Sequence, residues 1–275
     1  MSTPLVSLRA IAFLAAAALL SRPLVAENRS STDLEIERCL SKAEVVDRGE
    51  VLVGITSPNR LVIECDGEKH QAVFKSVDEV RRGRTRFESG RSEINFTDSY
   101  RYERAAYLLD RELGIHRVPV AVIRKVDGRE GALVQWIEDA STEIEFGRRF
   151  STQEIIELAD QKATMHLFDA LILNTDRRPE NWLVGHENLK LYLIDHSRAF
   201  RTQHELPEDF ERRPANLPRS VFANLQDLNE TRLTTLLEGL IDMTQIRALL
   251  ARRNLALQKI SQDIETHGVD TILSD

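Results

Sequence analysis

The chain has 275 residues, 42% of them hydrophobic, and a formal net charge of −7. That is enough apolar material for one two-lobed domain or two small ones. The acidic balance argues against nucleic acid as the main partner.

The first 26 residues read as an export signal. Arg9 supplies a sparse positive start, Ala10 to Leu20 a short apolar run, and Leu24-Val25-Ala26 a cleavage site before Glu27. The run is too short for a comfortable membrane span. The expected destination is therefore a periplasm, a secretory lumen or the exterior, with no stable transmembrane span. A buried or interfacial helix behind a late start codon is the alternative.

Thr32-x-x-Glu35 has the form of a capping box, and Leu34, Ile36, Leu40 and Ala43 give a short amphipathic helix after it. β-rich sequence follows. Val51 to Ile55 reads as a strand, Leu61, Ile63 and Cys65 alternate on one face of a second, and Asp66-Gly67 is a hairpin signal leading to a third at Ala72 to Lys75. Arg81 to Arg91 reads as a basic loop, either a solvated connection or a docking patch for an anionic substrate. Thr97 is placed to cap a helix running to Leu113, with Gly114 as its stop. Strands are expected over Val118 to Val126 and Ala132 to Ile137, joined at Asp127-Gly128. Ser151-x-x-Glu154 opens a helix through Leu173. From Arg219 onward the leucines at helical spacing, Leu233, Leu236, Leu237, Leu240, Leu249 and Leu250, read as core. Cys39 and Cys65 either pair in an oxidising compartment or stand as separate thiols. No Cys/His cluster has zinc spacing.

The most informative stretch is Asn174 to Phe200. Asp176-x4-Asn181 lies in a polar loop after a helix, followed by an apolar strand, a turn, a second strand and Asp195. Phosphoryl transfer needs little covalent help. It needs an in-line hydroxyl, an acceptor for its proton, and a divalent cation against the phosphates. Asp176 is placed to orient the hydroxyl and accept the proton. Asn181 and Asp195 offer the hard oxygen ligands that Mg²⁺ prefers. Upstream, Lys75 ends a strand and Glu103 sits on the next helix, the arrangement in which a lysine contacts phosphates and a glutamate holds it. Val73 shares a strand face with Lys75 and would cover the adenine. No G-x-G-x-x-G is present. The segment Gly54 to Arg60, with the hydroxyls of Thr56 and Ser57, stands where a phosphate-covering loop belongs.

These residues carry a family resemblance. Asn174-Thr175-Asp176-Arg177, Asn181-Trp182 and Leu193-Ile194-Asp195 resemble the catalytic region of phosphatidylinositol 3- and 4-kinases, especially the type II 4-kinases. Asp195 to Phe200 is similar to the D-N-G-R-x-F run of secretory-pathway kinases that act on secreted proteins and proteoglycans. HipA-type bacterial kinases are a more distant likeness. The resemblance implies an α+β, bilobal, protein-kinase-like fold. A small antiparallel β lobe with one helix (residues 27–138) would precede a larger helical lobe (139–275) holding the catalytic loop. It also implies Asp176 as base, Asn181 and Asp195 as metal ligands, and Lys75 with Glu103 at the nucleotide. Arg177 would be the arginine after the catalytic aspartate. Arg178 would stand where protein kinases keep a lysine near the γ-phosphate, and Asp169 would be an organiser on the preceding helix. His196-Ser197 departs from the Phe-Gly or Asn-Gly that follows the metal aspartate in those families.

The expected function is an ATP-dependent phosphotransferase, using Mg²⁺ or Mn²⁺, whose acceptor is a hydroxyl on a protein, a glycan or a lipid headgroup. The competing readings are a non-catalytic nucleotide-binding or protein-interaction module on the same fold, and nucleotidyl transfer to a protein hydroxyl.

Overall fold

The computed structural model describes residues 29–51, 59–87, 90 and 92–275. The proposed signal segment, most of the expected Val51–Ile55 strand, and Thr56 and Ser57 lie outside the described residues. A helix α1 (Ser31–Lys42) opens the described chain. Its cap is Ser30 paired with Asp33, not Thr32 with Glu35. The two boxes overlap in sequence, and the one set two residues earlier won.

Strands β1 (Glu44–Val51), β2 (Asn59–Cys65) and β3 (Glu68–Lys75) follow in antiparallel succession. The turn between β2 and β3 places Asp66 and Gly67 at positive φ, 53° and 84°, as a two-residue hairpin loop requires. The expected basic loop is corrected here. Asp78–Arg86 and Ser92–Ser99 pair as an antiparallel ribbon, β4 and β5. Thr97 lies inside β5, so it caps nothing, and helix α2 runs Arg101–Leu113. Gly114 ends α2 in the left-handed region at φ 72°, the usual helix stop.

β6 (Ala121–Val126) and β7 (Arg129–Gln135) form the hairpin expected at Asp127-Gly128. β7 pairs with β3, giving a five-stranded antiparallel sheet in the order β1-β2-β3-β7-β6. One face of the sheet presents Leu61, Ile63, Ala72, Phe74 and Leu133, all buried. They pack with Leu40 of α1 and with Ala105, Ala106 and Leu109 of α2. Arg111 braces the two helices by donating to both oxygens of Asp33, at 3.0 and 2.9 Å. Cys39 and Cys65 are free thiols within hydrogen-bonding reach of each other; burial first, then the Cys65 thiol, pushes Cys39 up to about 12. Strand residues alternate between faces, so Val73 and Lys75 point away from this core.

β8 (Ala140–Ser141), helix α3 (Thr152–Ile172), β9 (Trp182–Gly185) and β10 (Leu191–Leu193) come next. The Ser151/Glu154 capping box forms as the sequence predicts. The remainder is largely helical: a single turn α4 (Glu208–Glu211), strand β11 (Leu217–Pro218), α5 (Arg219–Asp227), α6 (Glu230–Leu236) and the long α7 (Met243–His267). Of the leucines expected in the core, Leu233, Leu236, Leu237 and Leu249 are buried with Ile246, while Leu240 and Leu250 pack against them partly buried. Within it, fully buried Arg252 donates to the carbonyls of Leu171 and Arg201, at 2.9 and 3.0 Å, and to that of Gln203. One guanidinium thus fixes the end of α3 to the segment beyond Asp195. Among the described residues no helix is long and apolar enough to cross a membrane.

Candidate active site

Three chain segments meet on the open face of the sheet. β3 delivers Lys75. The first turn of α2 delivers Glu103. The strand-turn-strand unit β9–β10 delivers the backbone from Asn181 to Asp195. Lys75 Nζ donates to Glu103 Oε1 at 2.6 Å and to Asp195 Oδ1 at 2.9 Å. The Glu103 side chain is only 3% exposed and that of Lys75 13%. Burial works against charge on both groups. For Lys75 the Glu103 and Asp195 carboxylates outweigh it and hold the ammonium above its ordinary value. For Glu103 the Lys75 ammonium and the His196 contacts hold the carboxyl well below the usual range.

The contacts of His196 account for its place where the resembling motifs carry Phe or Asn. It is fully buried. Its backbone N–H donates to Glu103 Oε1 at 3.0 Å, and its Nδ1 faces Glu103 Oε2 at 3.4 Å. On the other side, an Arg177 N–H meets Nε2 at 3.1 Å. A carboxylate only accepts and a guanidinium only donates. The ring therefore donates from Nδ1 and accepts at Nε2, and it links the loop around Asp176 to α2.

Arg177 is a brace. It donates to both oxygens of Asp169, each at 2.9 Å, to the Ile194 carbonyl at 2.7 Å, and to the Asn181 carbonyl. Its side chain is 7% exposed, so its donors face protein and not the cleft. Asp169 also accepts from the Asn174 amide at 3.2 Å, which fits the organising role. α3 ends with Leu173 in the left-handed region, and this sharp exit throws Asn174 to Arg178 towards the sheet. Asn174 Oδ1 accepts from the Asp176 N–H at 3.2 Å, and the Asn181 amide nitrogen donates to the Asp176 carbonyl at 2.7 Å.

The carboxylate of Asp176 stays accessible. Its neighbours are Arg178, 62% exposed at 3.5 Å, and Arg198 at 3.9 Å. Arg178 projects towards solvent, whereas Arg198 is held with Arg201 by Glu93 of β5. Asp195 itself sits at φ 61°. A non-glycine residue there carries strain, and such strain collects at functional sites.

The donor chemistry fits a divalent cation. The Asn181 nitrogen is engaged with Asp176, which leaves its carbonyl oxygen as a ligand. Asp195 adds a half-exposed carboxylate. Among the described residues no group of three or more His, Cys, Asp or Glu could hold a metal ion. That does not count against the fit, because Mg²⁺ at phosphoryl-transfer sites takes one or two carboxylates plus the substrate's own phosphates. Sequence reasoning missed Asp98. This residue of β5 is 4% exposed, and its Oδ1 is buried with no hydrogen-bond partner. With Lys75, Tyr100 and Ser197 it lines a cavity of about 10 Å³. A much larger cavity, about 820 Å³, opens on the opposite side of the sheet between α1 and the β9–β10 turn. It contains none of the residues named for phosphoryl transfer.

The sequence matches no protein-family model and no curated protein. Solved structures do match. A Golgi casein kinase superposes with a TM-score of 0.63 at 17% identity, covering 91% of this chain and 79% of its own. The hydra Fam20 structure with sugar gives 0.63 at 15% identity, covering 89% and 93%. The fold is kinase-like. The Helicobacter pylori proinflammatory kinase CtkA gives a TM-score of 0.51 at 11% identity, covering 82% of this chain and 98% of that one. A Golgi casein kinase with Mn/ADP bound also matches, at 0.61 and 17% identity over 88% and 78%. The narrower likeness to phosphatidylinositol 3- and 4-kinases rests on the loop residues alone.

Proposed function

We propose that this kinase-like protein is an ATP-dependent phosphotransferase that moves the γ-phosphoryl group to a hydroxyl. The observation that carries the reading is the contact of Lys75 with both Glu103 and Asp195, at 2.6 and 2.9 Å, beside an accessible Asp176. In this reading residues 27–138 hold the nucleotide through Val73 and Lys75, with Glu103 keeping the ammonium charged and aimed. Thr56 and Ser57 would cover the phosphates. Residues 139–275 supply the chemistry. Asn181 and Asp195 would hold Mg²⁺ or Mn²⁺, which neutralises phosphate charge.

Asp176 accepts a hydrogen bond from the acceptor hydroxyl and takes its proton as the oxygen–phosphorus bond forms. ADP departs with the electron pair of the broken bond. Arg178, exposed beside Asp176, meets the transferring group, while Arg177 keeps the loop in register. The leading 26 residues would export the chain, which makes an envelope protein, a glycan or a lipid headgroup the natural acceptor. The Fam20 and Golgi casein kinase likeness supports a kinase and an export route, and the neighbour with Mn/ADP bound supports a nucleotide with a divalent cation.

The test is transfer of label from γ-labelled ATP, with Mg²⁺ or Mn²⁺, to a cell-envelope extract. Wild-type protein should label a discrete acceptor and Asp176→Asn should not. Equal labelling by both proteins would refute Asp176 as the base.

A further inference from the structure

We infer that Asp98 is a second carboxylate ligand for the divalent cation at this site, set against Asp195 with Ser197 between them. The inference rests on the phosphotransferase reading and adds a ligand from a part of the chain with no metal motif. A buried carboxylate oxygen without a partner is expensive, because nothing replaces the water it gave up. Asp98 Oδ1 is such an atom. It is not adrift in an apolar core. The Ser197 hydroxyl is within hydrogen-bonding reach of the Asp98 carboxyl and also lies 3.4 Å from Asp195 Oδ1. The Ser197 carbonyl accepts from the Ser99 N–H at 2.8 Å, which locks the end of β5 to the segment just past Asp195. The cavity lined by Asp98, Lys75 and Ser197 measures about 10 Å³, close to the space of a single water-sized sphere.

The lysine shows how the site would change on binding. Its ammonium contacts Asp195 now. A divalent cation between Asp195 and Asp98 would take over that neutralisation and leave Lys75 to Glu103 and the phosphates. Two carboxylates, one amide oxygen and phosphate oxygens make the hard, partly substrate-derived coordination set that such cations take. The arrangement also gives β4 and β5 a purpose: they carry Asp98 to the metal and Glu93 to Arg198.

The experiment is calorimetric titration of Mn²⁺ into the full chain saturated with ADP, for wild type and Asp98→Asn, with unfolding in chelator as the check on folding. Loss of a ligand should weaken Mn²⁺ binding by at least the roughly 10- to 100-fold that loss of an outer-shell partner costs, with the metal-free unfolding temperature kept. If wild type binds Mn²⁺ with ADP and the variant binds equally well, the inference is overturned and the phosphotransferase reading stands. If wild type binds neither, both fall. Should the variant not fold, Fe²⁺ with ascorbate and peroxide in the wild type supplies the second measurement. Backbone cleavage near both 98 and 195 supports the inference, and cleavage near 195 alone overturns it.

Discussion

Two antiparallel strand pairs flank the cleft, and they differ in how they are encoded. β9–β10 is a short apolar pair between two polar landmarks, Asn181 and Asp195. Val184, Leu191 and Leu193 are fully buried. β4–β5 is longer, and much of it faces solvent: Val80 is 65% exposed and Ile94 60%. The first pair holds the Asn181 amide and the Asp195 carboxylate at the edge of a buried apolar unit. The second is held by charge, through Glu93 to Arg198 and Arg201, and by one backbone bond to Ser197. The β9–β10 unit thus carries Asn181 and Asp195 at its two ends, and the ribbon brings Asp98 in beside them.

The sharpest way to break that division is to remove chemistry from one side only. Asp176→Asn should lower transfer by about 10²–10⁴-fold, the span of a general base, with nucleotide affinity kept, and Asp195→Asn should abolish metal-dependent nucleotide binding. Filter binding and labelled transfer, measured side by side, separate the two. Glu93→Gln leaves Asp98, Asp176 and Asp195 in place and should cost transfer far less; a comparable loss would show that the pairs to Arg198 and Arg201 take part in the chemistry.

Next comes the buried pair that joins the sheet to α2. Removing one partner of such a pair costs about 3–5 kcal/mol. Because Asp195 remains beside Lys75, Glu103→Gln should fall at the low end, about 3 kcal/mol by denaturant unfolding. The effect has a pH signature. Glu103 is held below its ordinary value near 4.5. Its contribution is therefore complete above that pH and is lost as pH falls through the lower folded value. The stability gap between wild type and Glu103→Gln should stay constant from pH 7 to pH 5 and narrow below 4.5. A gap that widens in acid would contradict the pairing.

Smaller effects should follow from the ribbon. Glu93→Gln removes charge-assisted bonds to two partly buried arginines and should cost about 1–2 kcal/mol. It should also speed amide exchange across 78–99 while leaving 182–193 protected. Arg178→Ala should change stability by less than about 0.5 kcal/mol, as expected for an exposed side chain, yet raise KM for ATP or lower kcat. Urea melts and steady-state kinetics test both statements.

The same contrast explains how far the sequence could be read. Asp176, Asn181 and Asp195 were legible because short-range spacing and one burial pattern fix them. The hairpins at Asp66-Gly67 and Asp127-Gly128 were legible because their turns need positive φ, which those residues supply. β4–β5 was not. Val80 and Ile94 face solvent while Phe96 is buried, so no alternation marks one buried face, and the run of arginines reads as a solvated loop. Thr97 reads as a helix cap because it precedes α2, but it lies inside β5, and the Ser99 and Tyr100 N–H groups donate to the carbonyls of Ser197 and Val77. Asp98 went unnoticed with the strand that carries it. The position of His196 is visible as a departure from the kinase motifs that the loop resembles, while its contacts to Glu103 and Arg177 are not, because they join residues 93 and 19 positions apart.

The central claim is that Lys75, Asp195 and Asn181 converge on a metal–nucleotide complex. The most direct measurement is thermal unfolding of the full chain against ADP concentration, with and without Mn²⁺. Ligand at about 100 times its dissociation constant adds about 2.7 kcal/mol, which for a domain of this size raises Tm by roughly 5–10 °C. That rise should come only with the metal present and should be lost in Asp195→Asn. An unfolding temperature indifferent to ADP and Mn²⁺ together, at millimolar concentrations, would contradict it.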